Sequence, residues 1–243
     1  MYSESGSHTL SNHPAGGGPP GRRWRAGAFG VLWLAAILFS TADAARAGDI
    51  TALVVDAKGQ PLKNAVVYAI PVSGKVAPPE KGKTALVDQI RKEFIPMVVA
   101  AQTGTAVYFP NNDNIHHHVY SLSPAKTFEL PLYLGAPPNP VVFDKPGIAA
   151  LGCNIHDWML AYVVVVDTPH FAITGQDGKG AIRDVPPGAY TLLAWHYMMK
   201  GEPESRAIGV QVASGDQEKR FALDLKPVFP IRRAPSLPGG GYR

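Results

Sequence analysis

Seven short apolar runs follow one another between residues 84 and 167, most of them bounded by glycine, proline or asparagine. They are "MVVAAQ", "TAVYFPN", "HHVYSLS", "TFELPLYL", "PVVFD", "IAALGC" and "MLAYVVVVD". Stops at such short intervals leave no room for long helices, and 25 glycines and 23 prolines spread the same punctuation along all 243 residues. In "FELPLYL", Phe128, Leu130, Leu132 and Leu134 alternate with Glu129, Pro131 and Tyr133, the period of a half-buried strand. Pro131 lacks the N–H that an interior strand needs, which makes this an edge strand. "YVVVV" is apolar throughout, as in a strand covered on both faces. The expectation is an all-β fold in which these residues build a small sandwich or barrel.

The flanks carry strands of their own. "DITALVVD", the turn "AKGQPLKN" and "AVVYAIPV" read as a hairpin-like pair, and "SGKVAPPEKGK" as a surface linker. From residue 168 to 226, the turn "TGQDGKG", the strand "AIRDV", the turn "PPGAY" and the strand "YTLLAWH" follow in order, and Phe221, Leu223 and Leu225 alternate with Arg220, Ala222, Asp224 and Lys226. Residues 227–243, rich in proline, glycine and arginine, read as a disordered tail.

At the other end, "GRRWR" precedes the apolar run "AGAFGVLWLAAILFS" and the small-residue stretch "TADAARAG". A basic region, a short apolar run and a cleavage pattern make residues 1–47 a leader and signal peptide. The run is shorter than the roughly 20 residues that span a bilayer. The mature protein is expected in the periplasm with no stable membrane span. Its net charge falls from +4 to +2, because four arginines and two acidic residues, Glu4 and Asp43, leave with the leader. Nothing in that charge points to nucleic acid.

Export makes the single cysteine, Cys153, informative. An oxidising compartment favours paired cysteines, and this one has no partner in its own chain. It is buried and inert, bridged to another molecule, or bound to something. "LGCNIHDWML" joins two strands by a tight loop in which Cys153, His156 and Met159 can converge. Thiolate, imidazole and thioether are a soft set, and one further imidazole completes the donors of a type 1 copper site. Zinc gains little from a thioether. The second imidazole is sought in "NNDNIHHHVY": if Val119 packs inward, His117 shares its face while His116 and His118 point away.

These residues resemble the cupredoxins, or blue copper proteins, and most closely their amicyanin-like members. The resemblance runs over residues 84 to 167 and includes "EFIPMVVAAQTGTAVYFPN", "FDKPGIAALGCNIHDWM" and the closing "YVVVVD". The Cys-x-x-His-x-x-Met spacing matches the short ligand loop of amicyanins, and the chain looks like exported proteins called methylamine utilisation proteins. The resemblance implies a Greek-key β-sandwich binding copper through His117, Cys153 and His156 as strong ligands and Met159 as the long axial one. It also implies a tie between the two ligand loops through the residue after the first histidine. Many cupredoxins have asparagine there; here it is His118, which is expected to reach Asn154, or to compete as the ligand.

Residues 49–77 and 168–226 resemble the two halves of a carboxypeptidase regulatory-like, transthyretin-type β-sandwich. That resemblance implies a second domain split around the 84–167 unit, or else a first hairpin that joins the copper domain's sheet. No nucleophile triad, phosphate loop or paired-carboxylate signal stands out, so no enzyme is expected. The leading expectation is an exported electron carrier with an unknown redox partner protein. Its alternative is a periplasmic copper-binding, delivery or interaction protein without fast redox chemistry.

Overall fold

The computed structural model describes residues 47–227 except 138 and 214. The leader and tail lie outside the described residues, save for one residue at each boundary. Among the described residues, seventeen strands and one 3₁₀ turn, Pro203–Arg206, make up the regular structure, an all-β architecture. Among the described residues no helix is long and apolar enough to cross a membrane.

The sheet that positions the site has five strands in the order β6 (Val98–Gln102), β12 (Leu160–Val166), β11 (Gly147–Gly152), β8 (His117–Ser123) and β9 (Lys126–Tyr133). β6 and β12 are parallel, and the other neighbours antiparallel. A three-stranded sheet, β10 (Val141–Phe143), β7 (Thr105–Tyr108) and β3 (Thr84–Leu86), supplies Val107 and Phe143 to the same core. The short hairpin of β4 (Asp88–Ile90) and β5 (Glu93–Ile95) adds Phe94. Ala149, Leu151, Cys153, Met159 and Val163 lie in that core, so the candidate donors begin where the apolar interior ends.

β12 is covered on both faces, as its unbroken apolar run predicts. Val163 and Val165 point into the first core, whereas Val164 and Val166 belong to a second. That second core lies between a three-stranded sheet, β14 (Lys179–Val185), β1 (Gly48–Asp56) and β17 (Gln217–Leu223), and a four-stranded one. The latter comprises β13 (Phe171–Ile173), β2 (Val66–Pro71), β15 (Gly188–Trp195) and β16 (Ile208–Val212).

Two expectations about pairing are corrected. β1 and β2 do not form a hairpin: β1 pairs with β14 and β17, and β2 with β13 and β15, in separate sheets. The turn between them is an arch, closed where Leu62 N–H donates to Val54 at 2.9 Å. On β9, at the sheet edge as Pro131 requires, the alternation breaks after Leu130. Val119 faces Leu130 but His117 faces Tyr133, so β9 carries one extra residue there, a β-bulge. The slip exposes Leu132 and Leu134, 54% and 52% accessible, and brings Tyr133 toward the core instead. There the Tyr133 hydroxyl donates to the Phe109 carbonyl at 2.5 Å and accepts from the buried Gln89 amide. Burial pushes its phenol up to about 12.

Candidate metal centre

Two loops meet at the end of the first core. One carries residues 111 to 117 into β8; the other, 153 to 159, joins β11 to β12. His117 at the start of β8 is fully buried, and Cys153 and Met159 are nearly so. His156 is half-buried, held in a turn closed by the Met159 N–H donating to the His156 carbonyl at 2.9 Å.

Donor atoms of His117, Cys153 and His156 lie within 4.8 Å of one another. The two Nδ1 atoms are 3.1 Å apart, and Cys153 Sγ is 3.9 Å from His156 Nδ1. Bonds of about 2.0 Å to imidazole nitrogen and about 2.3 Å to thiolate sulfur place ligand atoms on one ion roughly 3 to 4 Å apart. The two shorter separations suit ligands of one ion and the third closes to within 4.8 Å, so a candidate metal site is present. Met159 lies buried in the same core, at the end of the same loop.

The second nitrogen of His117 explains the orientation of its ring. Nε2 lies 2.7 Å from Asp113 Oδ2. Partial burial raises the pKa of Asp113, but hydrogen bonds from the Lys92 N–H, the His117 ring and the Arg91 N–H outweigh it and hold the carboxyl below its usual range. An ionised carboxylate only accepts, so His117 Nε2 carries the proton, and in the neutral ring Nδ1 is left with a lone pair. The Nδ1–H joining the two rings then belongs to His156. Burial, followed by the repulsion a second proton would meet from His117 and Lys92, lowers the pKa of His156 and favours its neutral, metal-binding form. A cation at this point must displace the Nδ1 proton of His156.

Asp113 is itself held. Its N–H donates to Asn111 Oδ1 at 3.0 Å, and the buried Asn111 amide donates to Ile115 and Tyr133 carbonyls at 2.9 and 2.8 Å. Sequence reasoning assigned neither residue a role. A carboxylate four residues before a histidine was the available signal, but in an Asn/Asp-rich loop it reads as turn chemistry.

The remaining expected residues part company. His116 is exposed. His118 turns to the opposite face from His117, and its Nε2 pairs with Glu129 at 2.8 Å while its buried Nδ1 has no partner among the described residues. Asn154 is exposed and receives no hydrogen bond from His118 among the described residues, so the expected His118–Asn154 tie is replaced by His118–Glu129. The reason is strand geometry: His118 shares the outer face with Tyr120, whose cross-strand neighbour is Glu129. Trp158 leans on His156 with ring centroids 5.2 Å apart and donates its indole N–H to the Lys92 carbonyl at 3.0 Å. Ile155 beside it is 50% accessible.

No protein-family model matches the chain, and no curated protein matches it. Solved structures similar to it include cupredoxins. A purple cupredoxin from Nitrosopumilus maritimus is 21% identical, with a TM-score of 0.31, over 34% of this chain and 99% of that one. A reduced amicyanin mutant is 20% identical, with a TM-score of 0.32, over 41% of this chain and 99% of that one. A copper-containing nitrite reductase from Thermus scotoductus SA-01 is 22% identical, with a TM-score of 0.33, over 47% of this chain but 28% of that one. The likeness is partial and concerns fold alone.

Proposed function

We propose that this chain is an exported type 1 copper protein that transfers electrons, with His117, Cys153 and His156 as strong ligands and Met159 as the weak axial one. The observation that carries the reading is the convergence of two Nδ1 atoms and one thiol sulfur within 4.8 Å, at the edge of a core that also buries Met159. Two imidazoles, a thiolate and a thioether suit copper better than the harder metals, and the thioether gives zinc little. Bound copper supplies a one-electron couple. The chain's own part is to hold the donors still: His117 through Asp113, and the 153–159 loop through its internal turn and Trp158. A frame that stays put between oxidation states keeps the reorganisation on electron transfer small.

The partly accessible His156 ring, bordered by Ile155 and Trp158, is the proposed place where an electron enters or leaves, by contact with a redox partner protein. The reading includes a non-enzymatic role, cleavage of the leader and a periplasmic location. It also includes a 84–167 unit inserted in a second sandwich of residues 49–77 and 168–226. The pairing of β1 and β2 with strands after residue 170 supports that insertion.

The test is the visible spectrum of the purified protein with added Cu(II), together with voltammetry. An intense thiolate-to-copper band that disappears in Cys153→Ala, and a reversible couple, are expected. A colourless or zinc-retaining protein overturns the reading, and a blue protein with no reversible couple reduces it to copper binding.

A further inference from the structure

Arg91 and Lys92 form the two-residue turn of the β4–β5 hairpin, and both have positive φ, 54° and 59°. Turns with both central residues left-handed favour asparagine, aspartate and glycine, because other side chains strain the backbone there. The hairpin holds this conformation without any of them. Strained, non-glycine turns persist where surrounding contacts over-determine them.

The contacts in question lead to the candidate metal centre. The N–H groups of Arg91 and Lys92 donate to the two oxygens of Asp113 at 2.6 and 2.8 Å. Successive backbone N–H groups in a turn make a concave anion site, and the Asp113 carboxylate occupies it. The same Lys92 accepts the Trp158 indole N–H on its carbonyl at 3.0 Å. Asp113 holds His117 at 2.7 Å, and the Trp158 ring lies against His156. The two ligand-bearing loops are thus each tied to one turn, through backbone atoms that a change of side chain does not remove.

We propose that the Arg91-Lys92 turn is a positioning element that sets the distance and angle between the His117 and His156 imidazoles. The proposal rests on the copper reading for its consequence, but the clamp is a property of the protein itself. Loss of a group that orients a metal ligand lowers metal affinity about 10- to 100-fold. The turn is expected to act on that scale while leaving both cores untouched.

Three measurements test it. First, one glycine inserted between Arg91 and Lys92 changes the turn and its N–H geometry; copper loss to a chelator should quicken about tenfold or more. A glycine inserted after Lys58, in a distant turn, is the control and should not alter copper loss. Second, Trp158→Phe removes the Lys92 bond while keeping an aromatic ring beside His156, and should produce a smaller change in the same direction. Third, amide hydrogen exchange before metal is added should show Arg91 and Lys92 protected in the parent and released in Asp113→Ala. Copper retention unchanged in both the insertion variant and Trp158→Phe overturns the clamp, as does equal exchange in parent and Asp113→Ala. A parent that binds no copper overturns the copper reading and leaves amide exchange to decide the clamp.

Discussion

Asp113 accepts the Nε2–H of His117 at 2.7 Å, and this one contact decides which nitrogen of the buried ring faces Cys153 and His156. With Nε2 committed to a carboxylate, Nδ1 presents its lone pair to the centre. The ring is oriented, and made a better donor, by a residue that touches no metal.

Asp113→Ala should therefore weaken Cu(II) binding about 10- to 100-fold. Competition with a chelator of known affinity measures it. Unchanged affinity would mean that packing alone orients His117.

Gly178 sits in the turn between β13 and β14 with φ of 72°, and a Cβ there would lie 2.6 Å from the Val54 carbonyl oxygen and 2.9 Å from Pro61. Neither the conformation nor the backbone contact accommodates a methyl group. Gly178→Ala should destabilise the protein by about 1 to 3 kcal/mol in urea unfolding. The copper spectrum should stay as in the parent, because the substitution lies beside Val54 and the second core.

His196, buried beneath the turn after β15, accepts the Met198 N–H on Nδ1 at 3.3 Å. Burial lowers its pKa below 6.5, against a raising hydrogen bond with the Lys63 backbone. The unfolded chain then takes up a proton at a higher pH than the folded one. The stability contributed by the neutral ring is present above about pH 6.5 and is lost as the pH falls below it. Burial lowers His170 in the same way. Urea midpoints of metal-free protein between pH 7.5 and 5 should decline, and His196→Gln should flatten that decline. Parallel curves for parent and variant would refute the assignment.

The second core bears on how these effects separate. Val164 and Val166 of β12 pack into it while Val163 and Val165 pack beneath the candidate metal centre. One strand thus serves both interiors, and its unbroken valine run was readable as such because alternation fails only when both faces are dry. The edge position of β9 was equally legible, from Pro131.

The register was not legible. Regular alternation places Leu132 inward, but the bulge opposite His117 exposes it and brings in Tyr133, whose hydroxyl finds the Phe109 carbonyl and the Gln89 amide. A bulge leaves no mark in hydrophobic period until the partner strand is known. For the same reason the first two strands read as neighbours although they lie in different sheets.

The sequence by itself determined an all-β chain and put Cys153, His156 and Met159 on one short loop, because turn formers and donor spacing act over a few residues. Tertiary structure decided that His117 Nδ1 arrives 3.1 Å from His156 Nδ1, that His118 serves Glu129, and that Asp113 and Trp158 both hang on the Arg91-Lys92 turn. Those contacts join residues 11 to 66 positions apart, often through backbone atoms that every residue type shares. Only the folded chain brings them together.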